Sequence, residues 1–154
     1  MNNRYLYRAK RIDNGELVEG FYAVIGEKTV IIEKEREEFY DVEGDKKSNG
    51  NKIVEVDPST ICQCTGLKDK NGKLIWENDI VKKHFYTDYD NYANSEEYIG
   101  FVKYEDCAWV IKTKRDNGIC TRPIIESMAY SDDIKHFEVI GNRFDNPELL
   151  EVGE

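Results

Sequence analysis

Val56-Asp57-Pro58-Ser59-Thr60-Ile61-Cys62-Gln63-Cys64-Thr65-Gly66-Leu67-Lys68-Asp69-Lys70-Asn71-Gly72-Lys73-Leu74-Ile75-Trp76-Glu77-Asn78-Asp79-Ile80-Val81 is the stretch on which the reading of this chain turns. Asp57 ahead of Pro58 has the form of a helix N-cap followed by proline at the first helical position, which predicts a single helical turn. Leu67-Lys68-Asp69 and Lys73-Leu74-Ile75-Trp76 flank Lys70-Asn71-Gly72 and predict a hairpin. Asn71-Gly72 suits a primed turn, because both residues tolerate positive φ. Glu77-Asn78-Asp79 then turns the chain into a strand at Ile80-Val81-Lys82, with Asn78 able to take the left-handed conformation. Cys62 and Cys64, two apart on a strand, share a face in the manner of two buried neighbours.

The same grammar extends in both directions. Asp13-Asn14-Gly15, Ser48-Asn49-Gly50-Asn51 and Asp116-Asn117-Gly118 are further turn signals. Between them lie short runs rich in β-branched and aromatic residues: 5–10, 21–25, 29–32, 52–56, 99–104, 108–113 and 137–140. Tyr5, Tyr7 and Ala9 fall on one face of the first run, and Phe21, Ala23 and Ile25 on one face of the next. No apolar helical period is sustained, so the expected fold class is mainly β, α+β at most, built of antiparallel hairpins. Asn146-Pro147 predicts a last helical turn near the C-terminus. Glu33 to Asn51 is charge-dense, and Thr87 to Glu97 is acidic and aperiodic; both are expected to be loops, and loops of this kind carry binding residues.

Composition narrows the function classes. The 154 residues carry 22 Lys+Arg against 31 Asp+Glu, a net charge of −9, and aromatic residues make up 12%, too many for a disordered chain. Residues 1–57 carry a net −3 and residues 58–154 a net −6, so neither part is basic and a nucleic-acid partner is disfavoured by charge. The apolar runs are far shorter than the ~20 residues of a membrane helix, and the N-terminus has no apolar signal core, so a cytoplasmic protein without a membrane partner is expected. Cys62, Cys64, Cys107 and Cys120 are then expected as free thiols.

The central stretch resembles the signature of the YopX-like family of phage and prophage proteins, close to V-D-P-x-T-I-x-Q-x-T-G-L-K-D-K-N-G-K-x-I-[YWF]-E-G-D-I-V. Arg4 to Ala9, Gly100 to Tyr104 and Glu138 to Leu150 are similar to three further segments of that family. Asn78 stands where the family has Gly, and Cys64 where it has Tyr or Phe, which marks Cys64 as a packing position. The resemblance implies an N-terminal β-rich lobe over 1–57, a connecting turn over 58–66 and a small SH3-like barrel over 67–154, with an acidic insertion at 84–98. It also implies a phage- or prophage-derived protein in the bacterial host cytoplasm, and it brings no catalytic residue and no assigned activity.

The chemistry visible in the residues is sparse. A four-thiolate zinc site is disfavoured, because Cys62-x-Cys64 lacks the two-to-four-residue spacing of a zinc knuckle. His84 and His136 lie in no nucleophile or metal motif, and Glu77/Asp79 reads as turn chemistry. No enzyme, cofactor or metal is therefore expected. Two surfaces remain as candidates. Tyr86, Tyr89, Tyr92 and Tyr98, around the acidic loop, would serve a protein partner or self-association, since tyrosine offers contact area with a polar tip. Arg4, Arg8, Lys10 and Arg11, interleaved with Tyr5 and Tyr7, would serve nucleic acid through a basic groove and stacking.

Overall fold

A computed structural model describes residues 3–40, 42–44, 46–86, 95–115, 118–124 and 136–151; for 34–40, 46–51, 84–86, 95–96, 115 and 123 it describes the backbone alone. The chain divides into two units, Met1–Cys64 and Thr65–Glu154. Both are built of antiparallel strands, and the described helical segments are short 3-10 turns at Asn3–Tyr5, Pro58–Thr60 and Pro147–Leu150.

In the first unit, period-two alternation decides which side chains are covered. Strands β1 (Tyr7–Lys10), β2 (Leu17–Ile25), β3 (Lys28–Tyr40) and β4 (Lys46–Glu55) pair in succession, and β1 also pairs with the start of β5 (Cys62–Lys68). The register sets Ala9 opposite Val18, Tyr22 opposite Ile31 and Ile31 opposite Val54. Ala9, Val18, Ile31, Val54 and Val56 form the core on that face, with Tyr7 and Ile61 against it. Residues one position off in each strand face the other way. There Phe21, Ile32 and Ile53 lie in one row across β2, β3 and β4.

Two expectations for this unit need correction. Residues 33–51 are not a loop: most of them belong to β3 and β4, which pair as far out as Tyr40 opposite Lys46. The signal was hidden because charged residues occupy β3 beyond Glu33, so no apolar alternation marks the strand. Asn49-Gly50 lies inside β4 rather than in a turn. The helical turn after Asp57 is present as read. The Asp57 carboxylate accepts the Ser59 hydroxyl at 2.7 Å and the Ser59 N–H at 2.9 Å, and these hydrogen bonds, the hydroxyl's first, hold it below the usual carboxylate range.

In the second unit, β6 (Leu74–Trp76) lies beside the end of β5. A five-stranded sheet follows, ordered β10-β9-β8-β7-β11, from β7 (Asp79–Tyr86), β8 (Ser95–Glu105), β9 (Ala108–Arg115), β10 (Gly118–Pro123) and β11 (Phe137–Asn142). This is the part of the chain that the resemblance assigns to an SH3-like barrel; the described pairings make a five-stranded antiparallel sheet. Its core face collects Ile75, Val81, Tyr98, Val102, Ile111, Ile124 and Phe137. Each such side chain contributes about 1.5–3 kcal/mol on burial. The expected insertion at 84–98 is shorter than read, because β7 runs to Tyr86 and β8 begins at Ser95; residues 87–94 lie outside the described residues.

Turn chemistry departs from the Asn-Gly reading in an instructive way. At 69–72 the Gly72 N–H bonds the Asp69 carbonyl at 2.9 Å, and Gly72 alone is left-handed, at φ 79°. Asn71 is therefore not in a primed turn. The primed geometry occurs at Asp106 and Cys107, with φ of 50° and 63°, between the paired residues Glu105 and Ala108. No Asn-Gly marks that hairpin.

Candidate functional site

Three stretches that carry the family resemblance, 65–81, 100–104 and 138–150, lie in the second unit, and their polar residues have identifiable partners there. Asp69 is buried at the hairpin between β5 and β6. Its carboxylate accepts the N–H groups of Asn71 (2.8 Å), Lys73 (2.9 Å) and, from β11, Val139 (3.1 Å). The Lys70 N–H bonds the Phe137 carbonyl at 2.9 Å. Burial pushes the Asp69 carboxyl up, but the three N–H donors outweigh it and hold the group below its ordinary value. The aspartate is thus a bracket tying the Lys70-Asn71-Gly72 turn to β11.

The second junction is built on Asn78, left-handed at φ 63° as its turn requires. Its N–H bonds the Val102 carbonyl at 2.8 Å and its own carbonyl accepts the Arg143 N–H at 3.0 Å. Asp79, buried, accepts the Trp76 N–H at 2.9 Å. Arg143 lies with its guanidinium 4.0 Å from the centre of the Phe101 ring and Nη1 3.4 Å from the Asn78 side-chain oxygen. Asn142 closes the last turn by accepting the N–H groups of Phe144 (2.9 Å) and Asp145 (3.0 Å). Asn146, read as a cap from sequence, makes no cap bond to the helical turn; its side-chain oxygen faces the Asn142 N–H at 3.4 Å.

The core of this unit also holds a charge that the sequence did not single out. Lys83 is 2% exposed, paired across the sheet with Tyr98 and Phe137, with its ammonium 4.9 Å from the Phe137 ring centre. Tyr98 meets Phe137 edge-on at 6.5 Å, and Arg122 lies 5.9 Å from the Tyr98 ring centre. A lysine buried against aromatic faces gains a cation–π contribution in a desolvated setting.

Neither candidate surface survives whole. Tyr98 is 8% exposed and belongs to the core, because its position in β8 faces Lys83 and Phe137. Tyr86 ends β7 with only its backbone described, and Tyr89 and Tyr92 lie outside the described residues. Of the basic set, Arg8 is 7% exposed beside Cys62, so it is a buried residue and not an open cation. Arg11 is held by Asp13 through two bonds of 2.8 and 2.6 Å, which neutralise it. Lys10 is half-buried, and Arg4 is exposed. Tyrosines and arginines that look alike in sequence fall on opposite faces of a strand, and only one face is open. Cys62 and Cys64 are buried, Cys120 is half-buried and Cys107 is exposed; all are free thiols. Among the described residues no group of three His, Cys, Asp or Glu could hold a metal ion.

Two surfaces were missed. One is the Phe21–Ile32–Ile53 row of the first unit; the other is the face of the second sheet turned away from its core, where Lys82, Lys103, Lys112 and Lys114 fall. The alternation of Lys112 and Lys114 was the available signal for the second.

The geometry describes a two-unit antiparallel β protein whose signature residues serve turns, caps and strand junctions. A model of the YopX protein family matches residues 6–151, and the chain belongs to that family. A comparison with curated proteins finds no match.

Proposed function

We propose that this chain is a non-enzymatic accessory protein of phage or prophage origin, acting in the host cytoplasm through protein–protein contact, with a second copy of itself as the first partner. The observation that carries the reading is the open row on β2, β3 and β4. Phe21 is 42% exposed and Ile53 56%, and they flank Ile32 on the face opposite the core, with Ile25 exposed on the same face of β2. Contiguous apolar surface on a sheet supports sheet-on-sheet packing. The rim carries Glu19 and Glu55 as well as Lys28, which bonds Glu55 at 2.6 Å. A face of this kind can meet its own copy in an isologous contact. The signature residues support the non-enzymatic part: Asp69, Asn78, Asp79 and Asn142 are engaged by backbone groups rather than aimed at a substrate.

Sedimentation equilibrium tests this. The wild type is expected to dimerise in a manner that persists in high salt, as apolar contact does. Phe21→Ser with Ile53→Ser is expected to stay monomeric with an unchanged melting midpoint, since both side chains are already exposed. A wild type that remains monomeric at high protein concentration overturns self-contact through this face.

A further inference from the structure

We infer that the outer face of the second sheet is a binding surface for single-stranded nucleic acid, with Arg143, Lys103 and Lys114 as its principal contacts. The strand register defines the face. Glu138, Lys82 and Ile99 lie in one row; Phe101, Lys112 and Thr121 in the next; Lys103 beside Val110, and Lys114 beside Ile119, complete it. Arg143 reaches the same face through its stack on Phe101. Among the described residues five cations therefore stand on this face against three carboxylates, Glu97, Glu105 and Glu138, in a chain whose net charge is −9.

The carboxylates are committed at particular lysines. Glu97 bonds Lys82 and Glu138 bonds Lys70, each at 2.6 Å, and Glu105 bonds Lys112. Those hydrogen bonds hold Glu105 and Glu138 below the ordinary carboxylate value, so both pairs stay charged and closed. Lys103, Lys114 and Arg143 are exposed and, among the described residues, make no ion pair with a carboxylate, although Glu105 feels the charge of Lys103 as well as that of Lys112. Local positive charge, rather than the sum over the chain, is what releases counterions from a phosphate backbone.

Charge alone would suit any polyanion; the planar group selects among them. The Arg143 guanidinium lies against Phe101, which fixes one side of it, and the residue is exposed on the other. A guanidinium offers a planar face on which an unpaired base can stack. Ile119, 70% exposed and paired with Lys114, adds apolar area next to a cation. The exposed part of the face lies around Lys103, Lys114 and Arg143, since Ile80 and Val110 on the same face are buried; a stacking group interleaved with lysines is the arrangement by which single strands are held without base-edge readout. An acidic protein segment would use the lysines but gain nothing from the plane. This inference is independent of the self-contact proposed for the first unit, because it concerns other residues and is read by another measurement.

The test is fluorescence anisotropy of the full chain with a labelled oligothymidylate of about 20 nucleotides. With three phosphate contacts, affinity is expected to fall roughly 40-fold from about 50 mM to about 300 mM salt. Lys103→Glu with Lys114→Glu is expected to weaken binding by more than about tenfold at the lower salt while leaving the melting midpoint in place, both residues being exposed. Arg143→Lys keeps the charge and loses the plane, and is expected to weaken oligothymidylate binding without altering the salt slope. Absence of binding at the lower salt, equal binding by the charge-reversed variant, or displacement of the oligonucleotide by polyglutamate at equal charge concentration each overturns the inference.

Discussion

The two units reach the same strand geometry by different means. The first is held by apolar alternation: Ala9, Val18, Ile31, Val54 and Val56 make its core, and most of the charged side chains described in it are exposed. The second has a larger core, containing Tyr98 and Phe137, and places Lys83, Asp69 and Asp79 out of solvent within it. An alternating apolar pattern accepts many residues at each position, provided volume and polarity hold. A buried carboxylate accepting three N–H groups does not, because losing one partner leaves desolvated groups unsatisfied. The exposed residues of the outward faces differ too: Phe21, Ile25 and Ile53 in the first unit, Lys103 and Lys114 in the second.

The largest expected effect is at Gly100. A side chain there would begin 2.6 Å from Ile111 Cγ2 and 2.7 Å from the Lys112 carbonyl oxygen, and backbone cannot yield cheaply. Gly100→Ala is expected to cost about 3 kcal/mol or more, at the upper end of overpacking. Hydrogen exchange should show protection lost across β7, β8 and β9 while β1 and β2 keep theirs. Loss in both units together would show that the comparison divides the molecule wrongly.

A middle-sized effect is expected at Asp69. Asp69→Asn keeps the shape but replaces one accepting oxygen by a donor, and should cost about 2–3 kcal/mol, the scale of hydrogen bonds to a charged group. Because the folded carboxyl lies below its ordinary value of 3.8, its contribution is whole above that pH and is lost as pH falls through the folded value. Melting midpoints of wild type and Asp69→Asn are therefore expected to converge in acid. A constant gap from neutral to strongly acid pH would show that the bracket acts through shape rather than charge.

The smallest effect is a gain. Asp106 and Cys107 both hold positive φ in a primed turn, which non-glycine residues adopt with strain. Asp106→Asn with Cys107→Gly installs the residues that this turn favours and should stabilise by about 1 kcal/mol. Because the change is confined to a turn, thermal melting should rise without any change in oligonucleotide affinity. An unchanged or lower midpoint would mean the hairpin is not strained.

Legibility followed the same division. The turn at Asp57-Pro58, the left-handed Asn78 and the strands at 7–10, 21–25, 29–32, 99–104 and 108–113 were readable because each has a local cause: a cap, a permissive backbone, an alternation; β5 was not, since 58–66 reads as a connecting turn. The long pairing of β3 with β4 was not, because its residues are charged and mark neither face. The primed turn fell at Asp106-Cys107 rather than at Asn71-Gly72, because Asp69 and β11 impose their own geometry on the second turn. Of the candidate site residues, Tyr98 and Arg8 failed for one reason: period two assigns a residue to a face, and says nothing of whether that face is covered.

What the sequence by itself determined is the strand class, the family and the positions of most turns, since these rest on spacings of a few residues along the chain. The tertiary structure decided which face of each strand is closed and which polar groups are bracketed. Val139 reaches Asp69, and Arg143 reaches Phe101 and Asn78, across tens of residues of chain. Burial, hydrogen-bond satisfaction and the sign of a surface are properties of neighbours in space, and a short-range pattern carries no record of those neighbours.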